Sequence, residues 1–194
     1  PPTSFVLQRT GAAIIRNELT GRRIRLEPGE ATFLPERDPV LRTAVGADPS
    51  QQWVIEFLPA DTADGNAFLT GTQLFVSDAT NSYPHGSFEL ELTRDVLLPA
   101  EVSRVSLSTG PALLLITSGH IEVTLEDSQV FLMRAGDSRL VTGRPFLRNV
   151  DSQAAVTVVA ALRGPMADRE ELSNGARETP MPPPQEVVSA ILPL

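Results

Sequence analysis

Short apolar runs separated by turn-forming residues recur along most of the chain, and they alternate with the two-residue period of strands rather than the 3.6-residue period of helices. Residues 5–8 (FVLQ) and 12–15 (AAII) are two such runs with Thr10-Gly11 between them, and residues 22–26 (RRIRL) alternate charged with apolar side chains. Glu27-Pro28-Gly29-Glu30 reads as a turn, because Pro fixes one corner and Gly supplies a positive φ at the next. Residues 31–35 follow as a strand, and residues 53–57 (WVIEF) place Trp53, Ile55 and Phe57 on one face. In residues 87–99, Phe88, Leu90 and Leu92 share a face opposite Glu89 and Glu91, which predicts a solvated carboxylate face in preference to an acid/base pair. From residue 103 to 162, seven more runs recur about every 8–12 residues, the cadence of a sandwich or barrel. Helical periodicity surfaces only at residues 167–176, where one short helix is expected to end at Asn174-Gly175.

The pattern is duplicated. Residues 4–58 align with residues 112–162: Gly11 meets Gly119, Gly29 meets Gly136, and Pro39-x-Leu41-Arg42 meets Pro145-x-Leu147-Arg148. The offset drifts over these pairs from 108 to 107 to 106, so the length differences fall in turns, which tolerate them best. The expected organisation is an N-terminal unit over 1–60, a connector with one or two strands over 61–87, a second unit over 88–163, and a tail over 164–194. The apolar end of that tail, residues 186–194, is expected to pack back on the strands.

Composition narrows the function classes. Hydrophobic residues make up 41% and charged residues 21%, enough to bury a core. The net charge is −8 with no basic stripe, which argues against nucleic acid as a partner. All sixteen basic residues are Arg. With no Cys, thiol catalysis, disulfides and cysteine metal sites are excluded. No run of 18 apolar residues exists, so no membrane-spanning helix is expected. The start Pro-Pro-Thr-Ser reads as the product of a removed leader or trimmed linker, and an extracytoplasmic location is the reading taken over a cytoplasmic one.

The run from Gly119 through Gly136-Asp137 to Pro145 and Asn149, with its partial copy from Arg25 through Gly29 to Pro35, resembles the cupin superfamily. The resemblance implies an all-β protein of two jelly-roll barrels, the first either whole or incomplete. In metal-binding cupins a His-x-His pair, a carboxylate and a third His hold one divalent ion. Carried onto this chain, the carboxylate position falls on Ala112, and the His-x-His pair on Val105/Leu107 or Ser106/Ser108. The third His falls on Pro145 or Phe146, and in the first copy on Pro39 or Val40. None is an ordinary metal ligand, so no metal or other cofactor is expected.

His120 and Glu122 are expected to face outward if Ile121 and Val123 face inward, and His85 sits in a turn beside Tyr83. Arg42 and Arg148 could each hold an anion at a barrel mouth, but alternation from Leu41 and Leu147 places both on the outer face. Hydroxyls on residues 103–109 would suit a polar ligand, making Ser106, Ser108 and Phe146 the candidate binding residues of the second barrel interior. No catalytic residue is assigned. The function expected is a metal-free, non-catalytic module that binds a small-molecule ligand or a protein partner. The alternatives are a metal-independent isomerase or epimerase on a sugar or small acid, and a structural homodimer paired edge to edge.

Overall fold

The computed structural model describes residues 2–58, 72, 74–78, 89–105 and 110–163. These residues fall into two compact units, the first within 2–72 and the second within 74–163. Among the described residues every regular element is a strand. The expected connector strands, the helix at 167–176 and the tail lie outside the described residues, as do Tyr83 and His85.

The N-terminal unit holds β1 (Thr3–Thr10), β2 (Ala12–Asn17), β3 (Arg23–Leu26), β4 (Ala31–Leu34), β5 (Val40–Val45) and β6 (Gln51–Phe57). They form two antiparallel sheets, ordered β4-β1-β6 and β3-β2-β5. Val6, Ile15, Leu26 and Leu34 pack together between the sheets.

The second unit repeats this order in β9 (Ala112–Ser118), β10 (His120–Thr124), β11 (Val130–Arg134), β12 (Ser138–Val141), β13 (Phe146–Asn149) and β14 (Ala155–Arg163). Two strands precede the repeat: β7 (Glu89–Leu97) adds an edge to one sheet, giving β12-β9-β14-β7, and β8 (Val102–Arg104) adds one to the other, giving β11-β10-β13-β8. Leu114, Ile116, Ile121, Val123 and Leu147 are all fully buried between these sheets. Each such side chain contributes about 1.5–3 kcal/mol by leaving water.

The duplicated glycines do the same job in each unit. Gly11 and Gly119 sit at the corner between sheets with φ of +63° and +78°. A Cβ on Gly11 would stand 2.8 Å from the carbonyl oxygen of Pro49, and one on Gly119 2.7 Å from Cβ of Ala155. No side chain fits either corner. The turn at 27–30 is tied back by Gly29 N–H to Gln8 O (2.8 Å) and Gln8 N–H to Glu30 O (2.8 Å). In the second unit the same pair is Gly136 N–H to Ile116 O (2.8 Å) and Ile116 N–H to Asp137 O (3.1 Å). The carboxylates of Glu30 and Asp137 accept from the N–H of Glu27 (2.7 Å) and of Arg134 (2.9 Å).

Two expectations about faces are corrected. In β7, Glu91 lies opposite Ala161, Asp95 opposite Thr157 and Leu97 opposite Ala155. Ala161, Ala155 and Leu97 belong to the interior cluster, so Glu91 and Asp95 share the inward face. The alternation misleads because Leu90 and Leu92 pair with Leu162 and Ala160, which are buried on the other face. A sheet covered on both faces loses the apolar-in, polar-out code. The second correction is Phe146, expected inward. It is 41% exposed, while Leu147 beside it is fully buried, and the guanidinium of Arg104 lies 4.7 Å from its ring centroid on the outer side.

Candidate functional site

The strongest concentration of inward polar groups is in the N-terminal unit. Along β1 the alternation sends Phe5 and Leu7 one way and Ser4, Val6 and Gln8 the other. Val6 belongs to the core between the sheets, so Ser4 and Gln8 face that interior, as do their β6 partners Glu56 and Gln52. One end of the interior is closed by Gln8, which is 1% exposed. Its Nε2 donates to Thr10 O (2.7 Å), Gly11 O (3.1 Å) and Ser50 Oγ (2.8 Å), and its Oε1 accepts from Gln52 Nε2 (2.9 Å). Such a fully satisfied amide fixes the floor without leaving a costly unpaired group.

Arg42 enters this interior by register. It lies directly opposite Ile15, a core residue, so the two side chains share the inward face and Leu41, 46% exposed, points out. This overturns the outer-face expectation for Arg42. In the second unit, by contrast, Val123 lies opposite Leu147, and Arg148 lies opposite Glu122 on the outer face. Its Nη2 stands 2.9 Å from Glu122 Oε1, as the outer-face reading expects. The structural counterpart of Arg42 is therefore Leu147, and that of Leu41 is Phe146. The motif alignment is one residue out: matching turn bonds set Glu30 in the place of Asp137, an offset of 107, and register sets Arg42 in the place of Leu147, an offset of 105, so the first unit has two more residues between these points while the motif alignment, at 106, allows for one. A slip of one residue in a strand exchanges its faces.

Arg42 and Glu56 stand on opposite sheets and feel each other's charge without closing to an ion pair, and no other described residue bonds to either. Although the Arg42 side chain is solvent-exposed, loss of water around it lowers its pKa from the ordinary value, with Glu56 opposing the shift. Burial raises the Glu56 carboxyl above its ordinary value, with Arg42 opposing. An opposed cation and anion, each short of partners and partly stripped of water, can hold a ligand that brings the complementary charges.

In the second unit the polar inward groups lie along the edge strand β7. Asp95 is raised above its ordinary pKa by burial first and by the Glu101 carboxylate second. Thr157 opposite it is fully buried with its hydroxyl unpartnered. Of the binding residues expected from sequence, Ser106 and Ser108 lie outside the described residues, and Phe146 is on the outer surface. His120 is outward, its Nδ1 2.9 Å from Asp151 Oδ2.

At the family's metal positions that fall within the described residues, no side chain offers an ordinary metal ligand. Ala112 is buried and has no donor atom, Val105 packs against the core, and Phe146 points away. Among the described residues no three His, Asp or Glu side chains converge. Sequence reasoning missed Arg42, Glu56 and Asp95 as inward groups. Only the pairing of β5 with β2 finds the first.

No protein-family profile matches the sequence, and no curated protein matches it. Solved structures do. A conserved protein of unknown function from Pseudomonas aeruginosa superposes with a TM-score of 0.56 at 11% identity, covering 84% of this chain and 70% of that one. A serine-to-alanine mutant of Bacillus subtilis oxalate decarboxylase superposes with a TM-score of 0.50 at 11% identity, covering 81% and 62%. A cupin 2 conserved barrel domain protein from Leptotrichia buccalis is similar at 12% identity and a TM-score of 0.44, covering 84% and 74%. With its two strand-repeated barrels, the chain has the fold of the cupin superfamily.

Proposed function

We propose that the protein is a non-catalytic, metal-independent module that binds a small polar ligand in its N-terminal barrel. The observation that carries this reading is the inward placement of Arg42 opposite Ile15, with Glu56 facing it across the interior. Partial loss of water disfavours the charged form of both groups, and binding a ligand of complementary charge offsets that cost. None of the residues at the family's metal positions is a His, Asp, Glu or Cys, which supports a role that does not need an ion. The barrel also has a settled floor at Gln8 and an exposed edge at β5, so a ligand can enter without unfolding a strand.

A thermal-shift screen of the whole chain against a broad set of small polar metabolites tests this. At least one compound is expected to raise the melting temperature in proportion to the logarithm of its concentration, and the same compound to lose its effect on Arg42→Gln. A screen in which no compound stabilises the protein, or in which Arg42→Gln retains every response, overturns the reading.

A further inference from the structure

We infer that the ligand of the N-terminal barrel is a small zwitterion carrying one carboxylate and one ammonium group on a short spacer. This rests on the binding reading above and adds the ligand's chemical class. Both signs of charge are present in one interior, on facing sheets, and they do not satisfy each other. Arg42 comes from β5 in the sheet β3-β2-β5, and Glu56 from β6 in the sheet β4-β1-β6. Each is electrostatically aware of the other, yet neither forms an ion pair or hydrogen bond with any described residue. A simple anion would meet Arg42 and be repelled by Glu56; a simple cation would meet the reverse. A molecule that places its carboxylate on the guanidinium and its ammonium on the carboxylate removes both repulsions and closes the gap.

The surroundings agree with a short ligand. Val6, Val54 and Ile15 separate the charged pair from the Gln8–Gln52 floor, so the polar gap is shallow. Ser4 lies in register opposite Glu56 and is 4% exposed, setting a small side chain rather than a bulky one beside the carboxylate. Asn17, at the next inward position of β2, is already committed: its Nδ2 donates to Asp38 Oδ2 (2.6 Å) and its Oδ1 accepts from the N–H of Leu19 and Thr20. The recognition therefore falls to Arg42 and Glu56.

Calorimetric titration of the whole chain with glycine, β-alanine and 4-aminobutyrate, beside sodium acetate and methylammonium chloride, tests the inference. One of the three zwitterions is expected to bind at least about tenfold more tightly than acetate or methylammonium, since a charge-assisted contact is lost with either. Glu56→Gln is expected to bring that zwitterion down to the affinity of acetate while leaving acetate bound as well or better. Arg42→Gln is expected to remove acetate and zwitterion binding together. Acetate binding as tightly as every zwitterion, with loss in Arg42→Gln, overturns the zwitterion and leaves the binding module standing. Absence of saturable heat from all three zwitterions overturns the inference, and the metabolite screen then decides the broader reading. Circular dichroism of each variant confirms that a lost response is not a lost fold.

Discussion

The two barrels share a strand order, a pair of corner glycines and a set of turn hydrogen bonds, yet they carry different side chains at equivalent inward positions. In the C-terminal barrel the position facing Val123 is Leu147, fully buried. In the N-terminal barrel the matching position, facing Ile15, is Arg42. Among the described residues the second barrel buries twelve apolar side chains in its interior cluster and the first buries four. The second barrel is thus stabilised mainly by apolar packing, while the first carries charged groups on its inward faces. The additional strands β7 and β8 fit the same division, since they widen both sheets of the second barrel and bring Leu97 into its core.

The amide that fastens each barrel shows the same division. Asn149, 1% exposed, donates to Leu97 O (2.9 Å) and Gln153 O (2.7 Å) and accepts from Asp151 N–H (2.8 Å). It thereby ties the added strand β7 to the repeat. Gln8 instead ties its own turn to Ser50 and Gln52 and reaches no added strand. Duplication kept the scaffold, and the interiors diverged on it.

The largest test of this contrast exchanges the equivalent residues. Leu147→Arg places an unpaired charge in a dry core and is expected to cost on the order of 3–5 kcal/mol, whereas Arg42→Leu is expected to change stability by no more than about 1 kcal/mol. Urea unfolding followed by circular dichroism measures both. If the two substitutions cost the same, the interiors are not different in kind.

A smaller effect is expected from Asp95→Asn, and its sign depends on pH. The folded protein holds the Asp95 proton more tightly than the unfolded chain, because burial and Glu101 both disfavour its charge. Stability from this group is thus complete below the unfolded pKa of about 3.9. It declines as pH rises from there through the raised folded value. Asp95→Asn removes the decline, so the variant is expected to be the more stable form at pH 7 and to lose that advantage toward pH 4. Parallel melting curves from pH 4 to pH 8 check this, and a wild type that stays ahead at pH 7 would place Asp95 outside the barrel.

The smallest effect is expected at Arg148→Ala. Its pair with Glu122 is solvent-exposed, so the loss lies within about 0–1 kcal/mol and shrinks further in high salt. Chemical denaturation at low and at 1 M salt separates the two contributions. A larger loss, insensitive to salt, would show that Arg148 has an inward role like that of Arg42.

Much of the architecture was legible from residues alone. Gly11 and Gly119 announced a duplicated corner because only glycine fits there, and the Gly29 and Gly136 turns announced the strand ends. Ile121 and Val123 announced an inward face that correctly sends His120 and Glu122 out. The site was less legible. Arg42 looked like Arg148 in a shared Pro-x-Leu-Arg motif, and only the pairing of β5 with β2 reveals that the faces are exchanged. Glu91 looked solvated because Leu90 and Leu92 flank it, in a strand whose partner β14 is buried on both faces.

The sequence by itself determined that the described residues form strands, where they turn, and that the pattern is built twice, since these depend on local backbone geometry and on side-chain alternation within a few residues. Only the tertiary structure decided which side of each strand is the inside. That choice is set by register, which sums the lengths of turns far apart in the chain, and one added residue is enough to move an arginine from the outer face of a sheet to the inner one.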